Sequence, residues 1–113
     1  MATTFPVVYS KLAADALIAQ VLSQYAIEPV ANCRFWHRGL SDIYLVETIA
    51  TQYILRVSHC HWRSQADVQF ELELLDFLGQ QQLPVAFPLR TVDGRLAIEI
   101  NALEGKRYAA LFI

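Results

Sequence analysis

The sequence is poor in charged residues and correspondingly rich in apolar ones. Charged residues make up 18% of the 113 residues and apolar residues 55%, against about 25% and about 45–50% in typical soluble domains. A chain of this length forms at most one small domain, which cannot bury so much apolar surface internally. Two interpretations stay open: an apolar face that packs against another domain or subunit, or a compact monomer with several exposed aromatic residues.

The charged residues that are present form no basic cluster. Lysine and arginine total 9, aspartate and glutamate total 11, and the net charge is −2, which disfavours nucleic acid or a membrane surface as a partner. No apolar run approaches the about 20 residues of a membrane span. Residues 1–6 have no basic stretch ahead of an apolar core, as a secretion signal would have. We therefore expect a cytoplasmic protein that binds neither nucleic acid nor membrane.

Two cysteines are too few for a disulfide framework. Cys33 and Cys60 are expected to be free thiols in a cytosolic setting. The tripeptide His59-Cys60-His61 offers three possible metal ligands, but adjacent strand residues point to opposite faces and no fourth ligand has a suitable spacing. We therefore predict no metal site in this chain.

Motifs that complete a catalytic site are also missing. None of the three histidines, at positions 37, 59 and 61, has an aspartate two residues later, so there is no H-x-D element. The tetrapeptide Asp76-Phe77-Leu78-Gly79 departs from a metal-binding D-F-G motif by an inserted leucine and lies in a helical pattern. We predict no catalytic residue, and we expect the chain alone to be inactive.

The first half of the chain changes from helical to strand periodicity. Apolar positions from Ala14 to Tyr25 repeat at helical spacing, and Ser10 can cap a helix over residues 11–25. From residue 31 the period changes to two, and the last two strands of this part are joined by a short connection that suits a hairpin. The predicted strands cover residues 32–38, 42–48 and 53–57.

The second half predicts one more helix and about three more strands. The helix covers residues 64–78, with Gly79 as its C-cap. Asp93-Gly94 predicts a hairpin between residues 89–92 and 95–100, and a second turn at residues 104–106 precedes the apolar run 107–113. The apolar ending leads us to expect an internal boundary of a larger protein.

The short strand connections favour an α+β fold. We predict an antiparallel sheet of about five to six strands, an N-terminal helix, and one helix packed between the third and fourth strands of the sheet.

Three features in a fixed order point to a site for an anion. The turn Gly39-Leu40-Ser41-Asp42 can direct backbone N–H groups and a hydroxyl towards an anion, although this composition is also typical of an ordinary turn. Arg56 lies near the end of the third strand, on the side opposite Leu55 and Val57. Glu71 follows in the second helix.

Glu71 is expected to face inward because it shares a helical face with Leu74, Leu75 and Leu78. An inward carboxylate is costly without a partner, so we expect an ion pair with Arg56. The alternative is that Glu71 lies at the edge of the apolar stripe and reaches water. Glu73 and Asp76 point elsewhere around the helix and are expected to be solvated.

The order of these elements resembles the N-terminal lobe of the aminoglycoside phosphotransferase superfamily. That superfamily includes choline kinases, type II homoserine kinases and a bacterial stress-response protein kinase. The resemblance spans about residues 32–113, and its last segment is most similar to the homoserine-kinase and stress-kinase branch. It rests on five segments in order: residues 39–48, residues 53–57, the helix with Glu71, residues 83–89 and residues 105–112.

The resemblance implies a division of the chain and a cofactor. Residues 1–30 would be an N-terminal helical segment, residues 31–113 a kinase-like nucleotide-binding lobe, and the C-terminal catalytic lobe would be absent. ATP with magnesium is the implied cofactor of the complete enzyme. The implied function is the nucleotide-binding lobe of an ATP-dependent phosphotransferase that acts on a hydroxyl of a small molecule or protein.

The resemblance also assigns roles to individual residues. Gly39, Ser41 and Asp42 would belong to the loop that covers the nucleotide, Arg56 would be the strand cation, and Glu71 its helix partner. Residues 112 and 113 would approach the hinge that holds adenine. Two residues depart from the family pattern: Arg56 replaces the lysine of the best-known members, and Asp42 stands where asparagine is frequent, which adds negative charge near phosphate.

A nucleotide is the first expected partner, and the absent lobe or a second copy of the chain is the next. Self-association is expected because the sheet edge around residues 108–113 would be uncovered. The alternative function is a non-enzymatic binding or interaction domain that keeps only the fold of the lobe.

Overall fold

The computed structural model describes residues 7–8, 11–38, 41–58, 64–83, 86–102 and 105–113, with the side chains of residues 7, 8, 11, 12 and 38 excepted. The predicted cap Ser10, the loop residue Gly39 and the tripeptide at residues 59–61 lie outside these described residues. Within them, neither helix is long and apolar enough to cross a membrane.

A five-stranded antiparallel sheet forms the centre of the protein. The chain first forms a separate two-stranded sheet and a helix, then three strands of the main sheet, a second helix, and the last two strands. In order these are β1 Val7–Val8, β2 Lys11–Leu12, α1 Ala14–Gln20, β3 Val30–Arg38, β4 Ser41–Thr48, β5 Gln52–Ser58, α2 Gln65–Gln80, β6 Ile98–Ala102 and β7 Gly105–Phe112. The main sheet has the order β3-β4-β5-β7-β6. The predicted α+β class, with one helix between the third and fourth sheet strands, is confirmed.

The two central strands show why the sequence forms a sheet. Tyr44 of β4 lies opposite Leu55 of β5, and Val46 lies opposite Tyr53. All four side chains are buried on one face, because residues two apart on a strand point the same way. The predicted hairpin between these strands is confirmed by a bond from the Thr48 amide to the Thr51 carbonyl at 3.0 Å.

The sheet carries a hydrophobic core on each face. On one face, side chains of β4–β7 pack with the N-terminal segment, including Leu17 of α1 and Leu22 of the short 3-10 helix Leu22–Gln24. On the other face, Leu72 of α2 packs with Ala110 and Phe112 of β7. The β3–β4 side of this second face belongs to neither core cluster.

The first helix is shorter than predicted. Residues 11 and 12 pair with residues 7 and 8 as strands, so α1 begins only at Ala14 and ends at Gln20. The apolar spacing over residues 21–25 still places Val21, Leu22 and Tyr25 in the core. The apolar periodicity therefore predicted which residues are buried more accurately than it predicted where the helix begins and ends.

The predicted C-cap at Gly79 is wrong, because α2 continues to Gln80. Gln82, with φ of 62°, ends the helix: its amide bonds to the Gly79 carbonyl at 3.0 Å, and the Leu83 amide bonds to the Leu78 carbonyl at 3.2 Å. These two bonds form a Schellman motif. The predicted start is confirmed, since the Ser64 hydroxyl accepts from the Asp67 amide at 3.1 Å.

The turn at Asp93-Gly94 forms, but the strand predicted at residues 89–92 does not, and the strand predicted at residues 95–100 forms only in its second half. The Thr91 amide bonds to the Arg95 carbonyl at 2.8 Å, and Gly94 has φ of +88°, yet β6 begins only at Ile98. The backbone N–H groups of this segment bond instead to other parts of the chain. The Val92 amide bonds to the Gln24 carbonyl and the Leu89 amide to the Leu111 carbonyl, both at 2.8 Å.

The last strand is internal to the sheet. β7 lies between β5 and β6, so the expectation of an uncovered sheet edge around residues 108–113 is wrong. The turn predicted at residues 104–106 lies partly outside the described residues. Gly105, which belongs to that predicted turn, is the first residue of β7 and pairs with Ala102 in an antiparallel register.

Candidate functional site

Arg56 of β5 and Glu71 of α2 form a bidentate ion pair. The Arg56 Nη2 atom donates to Glu71 Oε1 at 2.8 Å, and Nη1 donates to Oε2 at 3.3 Å. The side chains are 23% and 33% exposed. The predicted pairing is confirmed, and the parallel geometry is the strong form of an arginine–carboxylate contact.

Neighbouring strand residues and an aromatic ring fix the position of Arg56. Its side chain lies on the α2 face of β5, together with Ile54, and Ala110 and Phe112 lie opposite these residues in β7. The guanidinium carbon lies 5.0 Å from the centre of the Phe112 ring, which is a favourable cation–π distance. A guanidinium carries five N–H donors in a fixed fork, so two bonds to Glu71 leave donor capacity for a further anion.

Glu71 lies at the edge of the buried face of α2. The buried helix residues are Val68, Leu72 and Asp76, whereas Leu74, expected to face inward, is 46% exposed. The buried face of α2 is therefore rotated around the helix axis relative to the predicted face. Glu71 combines both of the interpretations left open: it lies at the edge of the stripe, and it is paired.

Asp76 was expected to be solvated, and that expectation is wrong. It is 8% exposed and accepts from Arg90 Nη2 and from Gln80 Nε2, each at 3.1 Å. Arg90 Nη1 also donates to the Gly94 carbonyl at 2.9 Å. Asp76 thereby ties α2, and with it Glu71, to the segment that precedes β6. Glu73 is exposed, as expected.

The residues of the predicted loop have different environments. Ser41 is half-buried at the start of β4 and lies opposite Ser58 of β5. Asp42 is 0% exposed, and its Oδ2 atom accepts from Arg107 Nη2 at 2.9 Å. The negative charge expected near the phosphates is therefore buried and neutralised by an arginine.

Arg107 is the charged residue that the sequence analysis missed. It is 4% exposed and shares the core face of β7 with Ala109 and Leu111. The cost of burying an unpaired charge, which drew attention to Glu71, applies to Arg107 as well. Its partner lies 65 positions earlier in the sequence, too far for any local pattern to indicate.

An open apolar surface adjoins Arg56 on the α2 face. Ile43 lies opposite Arg56 in the β4–β5 register, and Leu45 lies opposite Ile54. These residues are half-buried, and neither Ile43 nor Leu45 belongs to a core cluster. A cation beside a flat apolar surface can bind a ligand that has an anionic end and a planar end.

One cavity among the described residues lies away from the ion pair. A cavity of about 290 Å³ between α2 and the segment before β6 is lined by Gln65, Val68, Arg90, Leu96 and Tyr108, among others. Neither Arg56 nor Glu71 lines it. This cavity is therefore separate from the candidate site.

The described residues offer no metal ligand cluster and no activated thiol. No group of three histidine, cysteine, aspartate or glutamate side chains suitable for a metal occurs among them. Burial raises the pKa of Cys33 to about 11, so this thiol stays protonated at neutral pH and is a poor nucleophile.

Two curated proteins are similar to nearly the whole chain. An uncharacterized protein of Synechocystis is 63% identical over 108 residues, which are 96% of this chain and 30% of that protein. An uncharacterized protein of Deinococcus radiodurans is 37% identical over 111 residues, which are 98% of this chain and 32% of that protein. The chain thus spans about a third of the length of these relatives. No protein-family model matches it.

Two solved kinase structures share the fold. The microcompartment-associated aminopropanol kinase has a TM-score of 0.69 at 25% identity. Amicoumacin kinase hAmiN, in complex with AMP-PNP, Ca2+ and Ami, has a TM-score of 0.71 at 19% identity. Each match covers 87% of this chain and 30% of the kinase chain.

The fold is therefore kinase-like over about a third of a kinase chain. The predicted resemblance to the N-terminal lobe of the aminoglycoside phosphotransferase superfamily is confirmed.

Proposed function

We propose that this chain is the nucleotide-binding lobe of an ATP-dependent phosphotransferase that acts on a hydroxyl of a small molecule or protein. The observation that carries the proposal is the bidentate Arg56–Glu71 pair on a kinase-like sheet. In phosphotransferases of this fold class, a strand cation contacts the nucleotide phosphates and a helix carboxylate holds that cation in place.

Each residue of the site has a role that fits its environment. Arg56 binds the α- and β-phosphates through donors that Glu71 does not use, and Glu71 keeps the guanidinium directed at them. Ser41 covers the phosphates from the start of β4. The half-buried Ile43 and Leu45 form an apolar surface for the adenine ring.

ATP binds to such enzymes as a magnesium complex, and magnesium neutralises charge on the transferred phosphoryl group. The described residues hold no carboxylate cluster for that ion. Under this proposal, the magnesium ligands and the base for the acceptor hydroxyl would lie in a part of the complete enzyme that this chain does not span. What this chain contributes is the position and electrostatics of the nucleotide.

A non-enzymatic interaction domain is the second candidate, and one observation favours it. Phe70, Leu74 and Phe77, spaced at i, i+4 and i+7 on α2, are 71%, 46% and 59% exposed. An apolar helix face of this kind is typical of a docking surface.

Calorimetric titration with MgATP separates the two candidates. The proposed function predicts saturable binding by the wild-type chain, lost on Arg56→Gln because the phosphate contact is removed. Arg95→Gln is the matched control, since Arg95 is an exposed arginine in the segment before β6 that pairs with Asp93 at 3.1 Å. Equal binding by wild type and Arg56→Gln would contradict the proposed site. Absence of binding to the wild-type chain would favour the interaction domain.

A further inference from the structure

A buried ion pair joins three neighbouring strands at the end of the sheet that carries Arg56. Arg107 of β7 donates from Nη2 to Asp42 of β4 at 2.9 Å, and from Nε to the carbonyl of Ser58 in β5 at 2.7 Å. The Arg107 and Asp42 side chains are 5% and 0% exposed. One guanidinium therefore connects β4, β5 and β7 through direct contacts.

The ion pair crosses β5 on the reverse side from Arg56. Val57 lies opposite Asp42 in one register and opposite Ala109 in the other, so Asp42 and Arg107 flank β5 just beyond Arg56. Because adjacent strand residues point to opposite faces, the Val57 side carries the ion pair and the Arg56 side carries the candidate site. The ion pair and the candidate site therefore lie on opposite faces of the same stretch of β5 backbone.

We propose that Arg107 and Asp42 form a positioning clamp that holds the β5 backbone so that Arg56 meets the nucleotide phosphates. The proposal rests on the proposed function. It also explains how an acidic residue at position 42 is compatible with phosphate binding. Arg107 neutralises the Asp42 carboxylate inside the sheet, so the phosphates do not meet its charge. Arg107 acts through the backbone and does not touch the nucleotide.

A purely structural role would have a different signature. Buried ion pairs can often be replaced by neutral side chains without loss of stability, whereas removal of one partner leaves a costly buried charge. A neutral double variant should therefore recover stability. It cannot recover the bond from Arg107 Nε to Ser58, and it cannot recover the positioning.

The test compares Arg107→Met, Asp42→Asn/Arg107→Met and the control Lys106→Met. Lys106 is the neighbouring residue on β7, and its ion pair with Glu99, at 3.7 Å, is exposed. The measurements are the melting temperature, the MgATP dissociation constant by calorimetry, and amide hydrogen exchange of residues 56–58.

We expect the single variant to melt at a lower temperature and the double variant to melt close to the control. Both should bind MgATP about tenfold or more weakly, which corresponds to about 1.4 kcal/mol. Amide exchange at residues 56–58 should be faster in both than in Lys106→Met. A double variant with the control's affinity and the control's exchange rates would overturn the clamp.

Two further outcomes are decisive. If Arg107→Met fails to fold, the double variant is compared with Lys106→Met alone. If the wild-type chain binds no MgATP, the proposed function fails, and exchange rates alone decide the clamp. Faster exchange at residues 56–58 in the double variant would then support a clamp on β5, and unchanged exchange would contradict it.

Discussion

Arg56 and Glu71 are paired because each lies where an isolated charge would be costly. Both side chains are about a quarter to a third exposed, so the free energy of the pair lies between that of a surface pair and a buried one. This contact could be predicted because strand alternation gives the face of Arg56, and helical spacing places Glu71 beside the buried face of α2, even though that face is rotated from the predicted one. Asp42–Arg107 could not be predicted, since its partners lie 65 positions apart.

Glu71→Ala should destabilise the protein more than Glu73→Ala. Loss of Glu71 leaves a half-buried guanidinium without its carboxylate, at a cost of about 1–2 kcal/mol. Glu73 is exposed, and its loss should stay within about 0.5 kcal/mol. Urea unfolding measures both values, and equal effects of the two substitutions would contradict the stabilising role of the pair.

The free energy of unfolding should fall as the pH rises from about 9 to about 12. Burial raises the pKa of Cys33 to about 11 and that of Tyr25 to about 12. Above their usual pKa values these groups ionise in the unfolded chain but keep their protons in the folded one. The unfolded state then binds fewer protons, and stability decreases with pH.

Alkaline urea titrations of Cys33→Ala and Tyr25→Phe provide the measurement. Each substitution should flatten the pH dependence over its own part of the range. Curves parallel to that of the wild type would show that these two groups do not cause the decrease.

At the scale of elements, strands and helices followed from local patterns, and their ends did not. The alternation in β4 and β5 and the apolar spacing of α2 lie within single segments, so the sequence was sufficient. The segment before β6 is set by bonds to Gln24 and Leu111, which are remote in sequence. Its irregular course therefore replaced the predicted hairpin strands.

Gly79 illustrates a residue whose role depends on a remote contact. A Cβ atom at this position would lie 2.3 Å from the ring of Phe87, which is far too close. Gly79→Ala should thus destabilise the protein by about 1–3 kcal/mol through overpacking, even though alanine favours a helix by about 1 kcal/mol.

A second substitution checks that explanation of Gly79. In Gly79→Ala/Phe87→Ala the clash is absent, so the alanine at position 79 should no longer be destabilising relative to Phe87→Ala alone. Thermal unfolding of the four variants of this cycle measures the coupling. A coupling of zero would contradict the close contact as the cause.

For the whole molecule, the high apolar content corresponds to large apolar side chains that remain exposed. Trp36, Ile49, Phe70 and Phe77 are between 59% and 86% exposed. Two of them share the outer face of α2, which is a larger continuous surface than an isolated residue provides. We therefore expect self-association at this face of α2 and not at the sheet edge inferred from sequence.

Phe70→Ser/Phe77→Ser should reduce self-association of the chain at high concentration, because it removes the apolar face of α2. Ile49→Ser is the control, since Ile49 is 86% exposed in the β4–β5 turn. Sedimentation velocity measures the change. Association that responds equally to both sets of substitutions, or to neither, would contradict α2 as the contact surface.

The central claim is that this lobe binds a nucleotide through Arg56 on the α2 face of the sheet. NMR titration of the labelled chain with MgATP tests it most directly. Binding at this site should give saturable shifts at the Arg56 side chain and at Ile43 and Leu45, and the shifts at Ile43 and Leu45 should be abolished in Arg56→Gln. Shifts confined to the cavity between α2 and the segment before β6, or to the opposite face of the sheet, would contradict it.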